Sequence, residues 1–311
     1  MAGEVRFPVP DLVRRRAEHE GGASLAWLVN LDDTIASLEQ DWGLTIGQAL
    51  PGGSTGFVAE ATDAEGNACI VKLVTPSASA ASREVTVLAL ARGKGYVHLL
   101  RHDEARHAML LERLGDSLDI IDIPYQAKVD AICSTLLDAW MPVPAGIPLQ
   151  TGAEKANSLG MFIMATSQAL GQPCSQAVID RALMYCRDRA AAWRPENAVL
   201  AHGDPHPANT LAVPDAPGEY RLVDPEGLVI EPAYDLGVVL RAWHEGLEGR
   251  HAHDIARSHA RHLTTRTQVP AEAIWQWGYI ERVSTGLHLM ELGDVDQGRQ
   301  YLRIADALEA G

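Results

Sequence analysis

Apolar residues recur at helical spacing through residues 11–42. Leu28, Leu31, Ile35, Leu38 and Trp42 share one face, and Gly21-Gly22 separates a first short helix from a second. The period then changes. "LTIGQAL" (44–50), "FVAEAT" (57–62) and "ACIVKLV" (68–74) read as short strands, joined by "PGGSTG" and by the turn "DAEGN". A helix is expected from Ser82 to Ala91, ending near Gly93. Two more strands, "YVHLLR" and "AMLLERL", flank the turn "HDEARH".

That makes about five strands with one helix inserted after the third. From about residue 120 the pattern is mostly helical, broken by "MPVPAGIP" and by a short hairpin-like segment after residue 209. A run of strands followed by a run of helices predicts an α+β chain with a small antiparallel sheet lobe (1–114) and a larger helical lobe (115–311). The hinge is placed near Glu112 to Ser117.

Composition narrows the picture a little. With 311 residues, 47% of them hydrophobic, there is ample apolar surface for a core. The formal net charge of −15 disfavours nucleic acid and anionic membrane as partners and favours a cationic small molecule. Cys69, Cys133, Cys174 and Cys186 are too scattered for a disulfide framework or a zinc knuckle, so a reducing cytoplasm is expected. The first twenty residues lack the apolar run of a signal peptide, and no apolar stretch is long enough to span a bilayer.

The chemistry concentrates in "LAHGDPHPANTL" (200–211), which crowds His202, Asp204, His206 and Asn209 together, with Pro205 and Pro207 stiffening the backbone between them. Beyond it, the turn-rich "PDAPGE" separates "TLAV" from "YRLVD", a hairpin. If Val213 pairs with Tyr220, Asn209 lies opposite Asp224, and two oxygen ligands suited to Mg²⁺ meet at the hairpin's open end. A nucleoside triphosphate would need three further parts. Lys72 on a strand can reach phosphates, Glu84 early on the following helix can hold that lysine, and "GGSTG" can close over the phosphates. The order is glycine loop, strand lysine, helix glutamate, hinge, then H-x-D-x-x-x-x-N and a later Asp. It is the order of phosphoryl-transfer parts in the kinase fold.

At this point the chain resembles the kinase-fold antibiotic phosphotransferases. "HGDPHPAN" stands at the family's H-G-D-x-H-x-x-N loop, and "LVDPEGLVIEPAYDLGVVLR" at its metal-Asp segment and following helix. "PDLVRRRAEHEGGASLAWL", "DPEGLVIEPAYDL" and "WQWGYIERVSTGLHLMELGD" are similar to the streptomycin and hydroxyurea phosphotransferase group. The resemblance implies a two-lobed, protein-kinase-like fold and an ATP- and Mg²⁺-dependent transfer to a hydroxyl of a small molecule. Streptomycin or a related aminoglycoside is the first acceptor implied, with hydroxyurea or another metabolite as the alternative.

Residue by residue, the resemblance makes Asp204 the base or orienter and Asn209 and Asp224 the metal ligands. Lys72, paired with Glu84, would bind the α- and β-phosphates, and Gly53, Ser54 and Thr55 would cover them. The backbone from Glu112 to Leu114 would meet the adenine, and Asp235 would anchor the catalytic loop. Pro205 and Ala208 replace the family's leucine and glycine without removing a chemical group. "PGGSTG" lacks a full G-x-G-x-x-G, which leaves the phosphate loop the least defined part.

Each signal has a plainer reading. His202 is expected to be structural, and His206 is open between the two roles. The five histidines from His244 to His262 are expected to be a solvated helical face, and of Trp275 and Trp277 one is expected in the core. A cationic acceptor needs carboxylates, for which Glu245, Glu248, Asp254, Glu281 and Glu291 are candidates. Three rivals remain. A metal-dependent hydrolase would use His202, Asp204, His206 and Asp224 as ligands but leaves Lys72 and Glu84 idle. A protein kinase needs a longer segment than the one between Asp224 and Tyr234. A pseudokinase would lack groups that are all present here.

Overall fold

The first strands alternate as a half-buried sheet must. In the computed structural model, which describes residues 7–51, 56–76 and 80–309, Phe57, Ala59 and Ala61 of β2 (Gly56–Thr62) pair with Leu73, Val71 and Cys69 of β3 (Ala68–Val74). All six are buried on one face. That face packs against three helices, α1 (Asp11–Glu20), α2 (Gly22–Val29) and α3 (Leu31–Trp42), through Val13, Trp27, Leu31, Ile35 and Leu38. Two helices were expected in this region. Asn30 makes a third, because it ends α2 by donating from Nδ2 to the carbonyl of Ala26 at 2.7 Å. Gly43 stops α3 in the left-handed conformation that glycine adopts without strain.

β1 (Thr45–Ala49), β4 (Leu99–Asp103) and β5 (Ala108–Glu112) complete an antiparallel sheet of order β1-β2-β3-β5-β4, with α4 (Ala80–Ala91) between β3 and β4 in sequence. β4 begins at Leu99, later than its apolar run implied; Tyr96 is instead fully buried ahead of it. Lys72 lies across from Val58 and Met109. Its neighbours Val71 and Leu73 face the core of α1–α3, so the lysine points to the opposite face.

The chain divides into two compact units, Met1–Gly115 and Asp116–Gly311. The second holds α5 (Tyr125–Ala139), α6 (Gly152–Ala169), α7 (Gln176–Ala192), α8 (Ala233–Ala242), α9 (Ala252–Thr267), α10 (Ala271–Glu291) and α11 (Val295–Glu309). It also holds two small sheets. β9 (Thr210–Ala212) pairs with β10 (Tyr220–Leu222), and β6 (Met141–Pro142), β8 (Val199–Ala201), β11 (Leu228–Ile230) and β7 (Gln150–Thr151) form a four-stranded sheet that the helical pattern did not announce.

α10 is the central helix of this unit, buried from Ala273 to Ser284 without a polar stripe. Both Trp275 and Trp277 are buried, so neither is an exposed stacking platform. α8 lies close against α10 at two glycines. A Cβ on Gly237 would sit 2.6 Å from Trp277 Cβ, and one on Gly278 2.8 Å from Leu240 Cδ2. This approach fixes the two helices whose side chains reach the site. Among the described residues, no helix is long and apolar enough to cross a membrane.

Candidate active site

β8 delivers the chain directly into the motif of residues 202–209. His202 is fully buried, its Nδ1 accepts the Asp204 N–H at 3.0 Å, and its Nε2 meets the Val223 carbonyl at 2.8 Å. A carbonyl only accepts and a backbone N–H only donates, so Nε2 serves as the donor and Nδ1 as the acceptor. With both nitrogens committed to backbone, His202 is a strut and not a metal ligand. Among the described residues no group of three His, Cys, Asp or Glu side chains is placed to hold a metal. The hydrolase arrangement is therefore absent.

Asp235, near the N-terminus of α8, is also fully buried. Its carboxylate accepts the N–H of His202 at 3.0 Å, of Gly203 at 2.8 Å and Trp140 Nε1–H at 2.9 Å. Three donors converging on one carboxylate hold the start of the loop. Gly203 has φ +97, and a Cβ there would come 2.8 Å from Glu226 Cβ, so the turn needs glycine twice over.

The loop then presents Asp204. Its Oδ1 accepts Arg241 Nη2–H at 2.9 Å, and its Oδ2 lies 3.3 Å from His206 Nε2. Burial alone would raise this carboxyl's pKa. The His206 hydrogen bond and the Arg241 charge override it and hold the group well below the ordinary carboxylate range. Asp204 is thus ionised throughout the physiological range.

Asn209 donates from Nδ2 to the Asp204 carbonyl at 3.1 Å, which leaves Oδ1 as the end able to meet a hard cation. The hairpin register differs from expectation by one residue. Tyr220 pairs with Ala212, not Val213, and Val223 N–H bonds the Asn209 carbonyl at 3.0 Å. Asn209 therefore faces Val223, and Asp224 is one step further on. The cause is the turn: Val213 joins it, its N–H bonding Glu219 O while its carbonyl takes Ala216 N–H, so the ladder closes at Val213 and Glu219. Asp224 is exposed, with φ +59, a left-handed conformation that Asp tolerates better than most residues. An amide oxygen and a carboxylate are hard donors of the kind that Mg²⁺ takes beside waters and phosphate oxygens.

In the first unit, Lys72 Nζ reaches both oxygens of Glu84, at 2.8 and 2.7 Å, in a buried pair. Gly53, Ser54 and Thr55 lie outside the described residues. Glu112 ends β5 with its Oε1 accepting His98 N–H at 2.7 Å, and Leu114 is buried beyond it.

Several contacts were not foreseen. Arg241 Nη1 also reaches Glu281 Oε2 and Thr285 Oγ1, each at 3.3 Å, and Tyr234 O–H donates to Glu281 Oε1 at 2.6 Å. Glu281, expected as a free carboxylate for an acceptor, is consumed by this cluster, whereas Glu245, Glu248, Asp254 and Glu291 are exposed. Lys155 Nζ lies 3.4 Å from Glu226 Oε2 and 5.4 Å from the centre of the Tyr234 ring. The only advance signal was the seven-residue spacing of Tyr234 and Arg241, which puts both on one face of α8. Of the histidines of residues 244–262, His251 is exposed, whereas His259 and His262 are packed rather than solvated. His259 stacks on Trp243 at 3.8 Å, and His262 Nε2 sits 2.7 Å from Asp130 Oδ1.

A five-stranded sheet with a buried lysine–glutamate pair, and a helical unit with an anchored H-G-D-x-H-x-x-N loop, define a phosphotransferase of protein-kinase-like fold that acts on a hydroxyl group. Residues 42–293 match the family model described as aminoglycoside/hydroxyurea antibiotic resistance kinase, and the chain belongs to that family. It is 29% identical over 257 residues to a streptomycin 6-kinase of Streptomyces griseus, covering 80% of this chain and 79% of that one. A streptomycin 6-kinase of Streptomyces glaucescens is 27% identical over 308 residues, covering 98% and 97%. Among solved structures, an aminoglycoside phosphotransferase of Streptomyces rimosus in complex with ADP and streptomycin superposes with a TM-score of 0.54 at 15% identity, covering 82% of this chain and 98% of that one.

Proposed function

We propose that this enzyme transfers the γ-phosphoryl group of ATP to a hydroxyl of streptomycin or a closely related aminoglycoside, and so inactivates the antibiotic. The observation that carries the reading is the state of Asp204: ionised, oriented by Arg241 and His206, on a loop tied down by Asp235. A carboxylate so weakly basic is poorly suited to removing a proton early. It is well suited to accepting a hydrogen bond from the acceptor hydroxyl, lining it up, and taking the proton late. Phosphoryl transfer through a loose transition state asks for little more, since positioning and charge stabilisation supply most of the rate.

Lys72, held by Glu84, would bind the α- and β-phosphates, and the backbone of Glu112 to Leu114 would hold the adenine. Mg²⁺ on Asn209 and Asp224 would neutralise charge on the phosphates. Glu245, Glu248, Asp254 and Glu291 remain as exposed carboxylates for a cationic acceptor. Four cysteines without disulfides suit the reducing cytoplasm where ATP is available.

The test is ADP formation by the purified protein with ATP and Mg²⁺ against streptomycin, other aminoglycosides and hydroxyurea, with Asp204→Ala as control. Turnover on streptomycin that disappears in the variant supports the proposal. ATP binding without turnover on any antibiotic would remove the resistance role and redirect the search to another hydroxyl-bearing metabolite.

A further inference from the structure

The contacts around Asp204 do not stop at Arg241. Arg241 is a nearly buried arginine on α8 that spends Nη2 on Asp204 and Nη1 on Glu281 and Thr285 of α10. Glu281 is itself buried and takes a short hydrogen bond from Tyr234. So one guanidinium is clamped between two carboxylates, and the outer carboxylate is fixed by a phenol two turns away on the same face of α8. The glycine contacts between α8 and α10 hold the two helices close. A planar guanidinium has a fixed fork, so locking one edge of it fixes where the other edge points.

We infer that Glu281 and Tyr234, acting through Arg241, are positioning residues that set the direction of the Asp204 carboxylate. The inference rests on the proposed role of Asp204 and adds a hydrogen-bonded chain, Tyr234–Glu281–Arg241–Asp204, that neither the motif nor the family description contains. Glu281 and Tyr234 do not touch Asp204, and they contribute by removing freedom from Arg241. Arg241 needs no exchange of protons with Asp204 to do this. It supplies one strong charge-assisted bond at a defined angle, and the loop backbone supplies the rest.

The experiment is steady-state phosphoryl transfer from γ-³²P-ATP, with streptomycin as acceptor and, in its absence, with water. It compares wild type with Arg241→Met, Arg241→Lys, Glu281→Gln and Tyr234→Phe, each alone and in an Asp204→Asn background. Arg241→Met is expected to lower kcat about 100-fold with both KM values nearly unchanged, the scale of a misplaced reacting group. Arg241→Lys keeps the charge and should recover part of that loss. Glu281→Gln should lower kcat roughly 10-fold, as loss of an outer hydrogen-bond partner commonly does, and Tyr234→Phe less. In the Asp204→Asn background none of these should cause a further loss, because the group being positioned is gone.

Losses that multiply in that background would overturn the inference, as would a wild-type kcat in Arg241→Met or Glu281→Gln. Should Arg241→Met fail to fold, Arg241→Lys and Tyr234→Phe, which keep the packing, give the same decision. If Asp204→Asn itself keeps the wild-type rate, the reading of Asp204 fails, a result distinct from failure of the chain behind it.

Discussion

Lys72 and Glu84 form a two-pronged ion pair, Nζ to both carboxylate oxygens at 2.8 and 2.7 Å, with side chains only 5% and 7% exposed. Charges this deep were costly to desolvate, and the pair holds only while both members are present. Lys72→Met would take the ammonium away from the buried Glu84 carboxylate and is expected to cost about 3–5 kcal/mol, read as a lower urea midpoint. Lys72→Met/Glu84→Met should regain most of that stability, since apolar residues of similar size fill the same space. It should not regain phosphoryl transfer. Recovery of activity in the double variant would mean that the lysine has no work at the phosphates.

The two residues proposed to hold Mg²⁺ can be tested separately because their backbones differ. Asp224 is in the left-handed region, where Asn is at ease, so Asp224→Asn removes charge without straining the turn. The Mg²⁺ concentration for half-maximal activity should rise roughly tenfold or more, with thermal stability unchanged. Asn209→Ala removes an amide oxygen and also the 3.1 Å bond to the Asp204 carbonyl. It should therefore raise the Mg²⁺ requirement and lower kcat at saturating metal. An unchanged Mg²⁺ titration for Asp224→Asn would remove it from the ligand set.

What the sequence displayed, and what it hid, follow from the range of the interactions. The sheet of the first unit was legible because alternation is a local property, and so was the pairing of Lys72 with Glu84, which residue type and element order suggested. The H-G-D-x-H-x-x-N loop was legible from its residue types and their spacing. The hairpin register was missed by one residue, because the choice between Val213 and Ala212 as the partner of Tyr220 depends on turn hydrogen bonds that spacing does not reveal. The four-stranded sheet of the second unit was invisible, since strands of two or three residues have no period to detect. α10 shows no stripe because it is buried on every side. The contacts of Arg241 lie 37 and 40 residues away in sequence: the tie of the loop to Asp235 brings Asp204 to α8, and the packing of α8 on α10 brings Glu281.

That packing gives a prediction at Gly237. A methyl group there would lie 2.6 Å from Trp277 Cβ and 2.8 Å from the Gly278 backbone nitrogen, inside the limits of contact. The neighbours are main chain and Cβ of a buried helix, so they cannot swing aside. Gly237→Ala should cost about 1–3 kcal/mol, the usual penalty for overpacking a core, visible in urea unfolding. It should also lower kcat, because separating α8 from α10 pulls Arg241 away from Glu281. A Gly237→Ala protein as stable as wild type would show that the two helices can part freely.

The histidines stacked in the second unit give the acid side of the stability curve. Burial, reinforced by the Arg282 charge, pulls both His244 and His259 down to about 4, from an ordinary value near 6.5. The folded protein keeps them neutral at a pH where the unfolded chain already protonates them. Between pH 6.5 and 4 the unfolded state therefore binds more protons, and stability falls as the pH falls. Above pH 6.5 neither state is charged and the contribution is complete; below pH 4 it has been lost. Both rings are partly open to solvent, so the effect is on the order of 1 kcal/mol each after screening. Urea midpoints at pH 7.5, 6 and 5 should decline steadily for wild type. His259→Phe preserves the stack on Trp243, which is nearly coplanar at 4°, and should flatten that decline by about half. Parallel curves for wild type and His259→Phe would mean that His259 protonates as readily in the folded chain as in the unfolded one.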